Sequence, residues 1–233
     1  SPIMMKKLYV MAALEVDSYK KRALEAQITG TGMTAKTLDS LITSDINTMS
    51  DKTLDNPWRG AEAYHFFLLA QRQLYEGDYE SALKTCLRLS EYENVLETRD
   101  IYSLIALAAF YAGYLKECSR ALVKLENLPG QSDEDREKYE ELAVSIFSKY
   151  PPRDPKHTYF KCPGKSCPNK VSSIVTNCNE CGSNFPACMA SGQPILEKNY
   201  VQCKTCKHKA VESELHRLRV KNCPLCHAPM QLR

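Results

Sequence analysis

The chain has 233 residues, 43% of them apolar and 25% charged, with a formal net charge of +3. That length and balance hold one large or two modest domains and suit a soluble protein. They exclude a membrane span, because the longest apolar runs, near Tyr102 to Tyr114, are short and broken by polar residues.

Ser1-Pro2 precedes Ile3 without an initiator methionine and reads as the edge of a longer chain. From Met4 to Gln27 the apolar positions Leu8, Met11, Ala12, Val16, Tyr19 and Ala23 (with Ile28 beyond) recur every three to four residues among Lys and Glu, which predicts one amphipathic helix. Thr29-Gly-Thr-Gly-Met33 stops it. A second helix is expected from Thr34 to about Asp45, with Leu38, Leu41 and Ile42 on one face, then a polar loop from Asn47 to Asn56 ending at Pro57.

Between Trp58 and Tyr150 the sequence repeats. Gly77-Asp-Tyr79-Glu-Ser-Ala82 aligns with Gly113-Tyr-Leu115-Lys-Glu-Cys118, and the same offset of 36 residues puts Phe66 on Tyr102, Leu69 on Ile105, Ala70 on Ala106 and Cys86 on Leu122. Each unit predicts a helix, a turn at glycine and a second helix: Ala61 to Glu76 with Tyr79 to Ser90, then Arg99 to Ala112 with Leu115 to Glu126. Small residues (Ala70, Ala82, Ala106) suit close helix crossings and large ones (Phe66, Tyr79, Tyr102) the gaps beside them. The pattern resembles a tetratricopeptide repeat lengthened by two residues. Leu128-Pro-Gly130 breaks the chain, and Ser132-x-x-Asp135 approximates a capping box for a terminal cap helix through Leu142, Ile146 and Phe147. Cys86, Cys118, His65 and the run Tyr64, Phe66, Phe67 read as packing residues, with one aromatic of the run facing out.

Tyr150-Pro-Pro-Arg-Asp-Pro155 is a helix-breaking hinge. The expected fold is therefore mainly α: N-terminal solenoid helices over 1–57, tetratricopeptide-like helical hairpins with a cap helix over 58–150, and a small zinc-ribbon-like module with short strands over 151–233. Tyr159-Phe160 and Val171 to Val175 supply strands around a first metal, Tyr200-Val201 and Val211 around a second.

Those metals are read from cysteine spacing. Cys203-x-x-Cys206 and Cys223-x-x-Cys226 flank sixteen residues; Cys162-x4-Cys167 and Cys178-x-x-Cys181 flank ten. A C-x-x-C turn aims two sulfurs at one point, and two such turns complete a tetrahedron around zinc. Pro163, Gly164 and Pro168 let the backbone wrap the wider pair. Disulfides are disfavoured, since no signal peptide is visible and nine of the eleven cysteines lie after residue 160. Two structural zinc ions are expected, with sequential pairing preferred over a cross-brace because it closes shorter loops. Cys188 reads as a buried thiol, or as a replacement ligand alongside His208, His216 or His227. Four sulfurs on each zinc leave no place for water or substrate, so zinc catalysis is not expected.

Charge bears on partners. From residue 151 onward 13 Lys and Arg stand against 5 Asp and Glu, and the front carries 18 against 23. Two tetrathiolate zincs lower the formal +8 of the back to +4, which weakens the case for nucleic acid.

Tyr64-His-Phe-Phe-Leu-Leu-Ala-Gln-Arg-Gln-Leu-Tyr75, the repeat through Leu125-Glu126, Cys188-Met-Ala-Ser-Gly-Gln-Pro-Ile195 and Cys223-Pro-Leu-Cys-His-Ala-Pro229 together resemble the C-terminal part of the WD-repeat subunits of intraflagellar transport complex A. The resemblance covers about residues 58–147 and 185–230. It implies a non-enzymatic scaffold in ciliary trains, serving retrograde transport and ciliary entry of membrane proteins. The other complex A subunits would be its partners, with ciliary cargo adaptors beyond them, at the cilium and ciliary base on the cytoplasmic side. Two other classes fit parts of the sequence. A ubiquitin ligase of the RING type places its second and third ligand pairs a few residues apart, whereas Cys181 and Cys203 are separated by twenty-one. A nucleic-acid ribbon is suggested by Lys204, Lys207, Lys209, Arg217, Arg219 and Lys221, for which a solvated basic face or an acidic protein partner is the preferred reading.

Overall fold

The computed structural model describes residues 1–28, 56–155, 159–164, 167–172, 177–183, 185–196 and 199–231. The second helix expected over 34–45 and nearly all of the loop over 47–56 lie outside them. Chain compactness gives two units, Ser1–His65 and Phe66–Arg233.

In the first unit α1 (Pro2–Ile28) meets the opening of α2 (Arg59–Glu76), a helix that runs through both units. Asn56 accepts the Trp58 N–H on its side chain at 2.9 Å, so Asn56-Pro57 starts α2. The Trp58 indole N–H donates to Asp17 Oδ2 at 2.8 Å, and Tyr9 stacks on Tyr64 with ring centroids 5.7 Å apart. A Cβ on Gly60 would lie 2.2 Å from the Tyr9 ring, so this close approach requires glycine. The α1 helix forms as predicted, but its packed side is another one. Val10 and Ala13 are buried, whereas Leu8, Met11, Val16 and Tyr19 are exposed. Apolar periodicity marks a helix; the side that packs here is set by Tyr9, Val10, Ala13 and Asp17.

The second unit carries the repeat: α2, α3 (Tyr79–Leu89), a single 3-10 turn (Ser90–Tyr92), α4 (Thr98–Tyr111), α5 (Leu115–Glu126) and α6 (Asp133–Phe147). The 36-residue period holds at the level of hydrogen bonds. Asp78 N–H reaches back to Gln73 O at 2.9 Å and Tyr114 N–H to Ala109 O at 2.8 Å, with Gly77 and Gly113 both at φ 79°. Phe66, Leu83, Leu89, Ile101 and Leu125 are fully buried, and Ala70, Ala82, Ala108 and Ala109 sit where helices press together. α4 packs against both α3 and α5, and α5 against α6. Ser132 caps α6 by accepting Asp135 N–H at 3.2 Å, and the acidic first turn Asp133, Glu134, Asp135 suits the positive end of the helix. No residue of α6 is fully buried and Leu142 is exposed, so the cap helix leans on Ile146 and Phe147, which are half-buried.

The two hairpins differ at one cap. Asp78 caps α3 through its own carboxylate, accepting Ser81 N–H, while Tyr114 at the matching position of α5 has no capping side chain. Asp154, in the proline-rich segment, supplies the missing group: Lys116 N–H donates to its Oδ1 at 2.8 Å. Tyr150 also meets Phe110 edge-on, with centroids 6.2 Å apart. Replacing Asp154 by Ala is expected to cost about 0.5–2 kcal/mol, the usual worth of an N-cap, read as a lower urea midpoint with unchanged zinc content.

After the proline-rich segment, β1 (Tyr159–Lys161) pairs antiparallel with β2 (Lys170–Ser172), Phe160 opposite Val171. Similarly β3 (Tyr200–Gln202) pairs with β4 (Lys209–Val211), Val201 opposite Ala210. A short helix, α7 (Glu212–Arg217), follows β4 directly and buries Leu215; the sequence reading did not anticipate it.

Candidate metal centres

Each strand pair supports one group of four cysteines. Cys162 N–H donates to Asn169 O at 3.0 Å and Cys167 N–H to Gly164 O at 3.2 Å, folding the wide pair into a loop that faces the knuckle of Cys178 and Cys181. Gly164 N–H points at Cys162 Sγ, 3.4 Å away, and a Cβ on Gly164 would lie 3.0 Å from Cys181 Sγ. Val171, Phe185 and the half-buried Phe160 pack with Cys162, Cys167 and Cys178, Phe160 meeting Phe185 edge-on at 5.4 Å.

The downstream group is built from two knuckles of one geometry. Cys203 N–H donates to His208 O and Cys223 N–H to Ala228 O, both at 2.8 Å. Lys207 N–H returns to Cys203 O at 3.0 Å and His227 N–H to Cys223 O at 2.9 Å, with Lys207 and His227 at φ 61° and 62°. His208 places its Nδ1 2.8 Å from Cys206 O.

The structure brings Cys162, Cys167, Cys178 and Cys181 together, and separately Cys203, Cys206, Cys223 and Cys226, the sulfurs of each group all within 4.8 Å of one another. Cys162 and Cys203 fall in different groups. Sulfur pairs stand 3.5 and 3.8 Å apart in the first and 3.6 Å apart, twice, in the second. A tetrahedron with zinc–sulfur bonds of about 2.3 Å has edges of about 3.8 Å. The donor set and its spacing thus fit zinc. None of the eleven cysteines, all among the described residues, is in a disulfide. Without a cation, thiols this close divide their protons unequally: hydrogen bonding with Cys206 holds Cys203 far below the usual thiol range, and hydrogen bonding with Cys203 pushes Cys206 far above it. A divalent metal removes that conflict by holding all four as thiolates.

Cys188 belongs to neither group; its sulfur accepts Val211 N–H at 3.3 Å in a cluster with Ala190, Ile195, Ala210 and Leu215. No histidine joins a sulfur group among the described residues. Cys86 and Cys118 lie buried on the repeat helices, where desolvation pushes Cys86 up to about 12 and Cys118 up to about 11. At pH 8 only about one Cys86 in ten thousand is a thiolate, so neither thiol should react with iodoacetamide in the native chain, and both should react in urea. Mass spectrometry of the alkylated peptides checks this; native labelling of Cys86 would contradict it.

A repeat body of helical hairpins joined to two four-sulfur centres defines the class: a helical-repeat protein with zinc-binding modules. A family model described as IFT121-like, TPR repeats, matches residues 55–154, and one described as IFT121, second zinc finger domain, matches residues 186–231. The chain belongs to this IFT121 family. It is 38% identical over 99% of its length to WD repeat-containing protein 35 of Rattus norvegicus and equally so to that of Mus musculus. Against the Homo sapiens protein it is 37% identical over 98%. The chain spans 19% of the length of the rat relative and 18% of the other two. The second family model takes in Cys203, Cys206, Cys223 and Cys226, and the upstream group lies between the two matches.

Proposed function

We propose that this chain is a non-enzymatic scaffold or adaptor part of intraflagellar transport complex A, making protein–protein contacts that serve ciliary retrograde transport and entry of membrane proteins into the cilium. The observation that carries the reading is the match of both halves, hairpin repeat and zinc module, to one family, IFT121. Cys162, Cys167, Cys178 and Cys181 hold one zinc and Cys203, Cys206, Cys223 and Cys226 the other. Zinc ringed by four sulfurs has no open position, so it holds the module's shape instead of activating water. Residues 1–57 and 58–150 act as the helical body and 151–233 as its metal-stiffened end, offering surfaces to other complex A subunits and through them to ciliary cargo adaptors. The site of action is the cilium and its base, on the cytoplasmic side. Helix pairs in series expose long lateral surfaces that suit such contacts.

The test is capture of each complex A subunit on the immobilised, zinc-loaded chain, beside a ubiquitin-discharge assay and a salt titration with duplex and single-stranded nucleic acid. Retention of at least one subunit, without discharge and without steeply salt-dependent nucleic-acid binding, is the expected result. Retention of none, or nucleic-acid binding that collapses with salt, would overturn it.

A further inference from the structure

The turn at Cys188 has the backbone of a zinc knuckle but only one of its two thiols, and that sulfur joins neither four-cysteine group. In Cys178-x-x-Cys181 the first cysteine N–H donates to the carbonyl five residues on, Ser183 O, at 2.9 Å, and Gly182 N–H returns to Cys178 O at 2.9 Å with Gly182 at φ 68°. The two downstream knuckles repeat this. Cys188-Met-Ala-Ser191 repeats it too: Cys188 N–H donates to Gln193 O at 2.8 Å, Gly192 N–H returns to Cys188 O at 2.8 Å, and Gly192 has φ 73°. Ala187 bridges Pro194 as Asn222 bridges Pro229 at the flanks of the Cys223 knuckle. Ser191 occupies the place of the second ligand. Gln193 N–H points at its Oγ, 3.4 Å away, as Ser183 N–H points at Cys181.

What the metal-binding knuckles aim at zinc, this one aims at the helices. Ser191 O accepts the Gln73 side-chain N–H at 2.9 Å, and Gln73 Oε1 in turn accepts the Thr85 hydroxyl at 2.8 Å, a buried chain from the turn through α2 to α3. Gln193 Nε2 reaches Ser81 O at 3.4 Å. Residues 187–192 are all buried, as are Gln73 and Thr85. A Cβ on Gly192 would lie 2.2 Å from Thr85 Oγ1. Behind the tip, Cys188 packs with Ile195, Ala210 and Leu215, the apolar core of the downstream zinc module.

We propose that residues 187–194 are a metal-free knuckle whose tip is the docking key of the zinc module, seated between α2 and α3 by Gln73 and Thr85. With serine where the other knuckles carry a second thiol, the hydroxyl holds the turn without completing a metal-binding pair, and the backbone carbonyl of Ser191 is offered to Gln73. The downstream zinc thereby fixes the end of the first helical hairpin at a distance.

The test compares Gly192→Ala with Gly113→Ala in the zinc-loaded chain. Both place a side chain at positive φ, but nothing lies within 4 Å of the Cβ at Gly113. Gly192→Ala should retain the parent zinc content, lose the slowly exchanging Gln73 side-chain amide in NMR, and exchange the amides around Thr85 about tenfold faster. Gly113→Ala should keep the Gln73 signal, and Ser191→Cys should bind no additional zinc. Parent-like protection of Gln73 in Gly192→Ala, loss of zinc in that variant, or extra zinc in Ser191→Cys would each overturn the proposal. Fewer than two zincs in the parent chain would count against the ligand assignment alone, because the Gln73 comparison still decides the docking.

Discussion

Chelation of zinc is expected to unfold residues 159–231 and to leave α4, α5 and α6 folded. The apolar cluster of the upstream module has five buried members and three of them, Cys162, Cys167 and Cys178, are thiols, so burial alone cannot hold it. Structural zinc in modules of this size supplies about 10–16 kcal/mol of apparent folding free energy, far more than two three-residue strands provide. The α2–α3 hairpin should respond in between, because Gln73 loses the Ser191 carbonyl while Phe66, Leu83 and Leu89 stay packed. Cys223→Ser should do the same at the downstream centre only, leaving three ligands for a metal that takes four. Hydrogen exchange by mass spectrometry reads both experiments. Collapse of α4 to α6 along with the strands would show one cooperative unit instead of a metal-folded module on a self-sufficient repeat.

Ile101→Ala is expected to be among the costliest single substitutions in the helices. Ile101 is fully buried in α4, which packs on both α3 and α5, so the cavity opens where neither neighbour can close it without losing its own contacts. The expected cost is about 2–5 kcal/mol. It should appear as a fall in the urea midpoint of the helical signal with little change in slope. A loss below about 0.5 kcal/mol, the level of an ordinary surface change, would mean that α4 is not the centre of the repeat core.

Most of this architecture is legible in the sequence because it is written locally. The 36-residue period places Gly77 and Gly113 at the same turn, and the same back-bonds, Asp78 to Gln73 and Tyr114 to Ala109, appear there. The cysteine groups are legible for a related reason: a C-x-x-C turn fixes two sulfurs within four residues, and pairing neighbouring turns is the shortest closure. Features that depend on distant partners are not legible. The apolar residues of α1 show a helix, but only packing selects Val10 and Ala13 over Leu8 and Met11. Asp154 caps a helix 38 residues upstream, which no capping box in the sequence reveals. The Cys188 turn carried a usable signal that cysteine counting passes over, since Cys188-x-x-Ser191-Gly192 matches Cys178-x-x-Cys181-Gly182 in everything but the second sulfur.

The central claim is that two closed tetrathiolate zinc centres stiffen one end of a helical scaffold. X-ray absorption at the zinc edge, combined with elemental analysis of the purified chain, tests it most directly. The account predicts two zincs per chain, each with four sulfur neighbours at about 2.3 Å and no oxygen or nitrogen. One zinc or none, or a first shell containing nitrogen or oxygen, would contradict it.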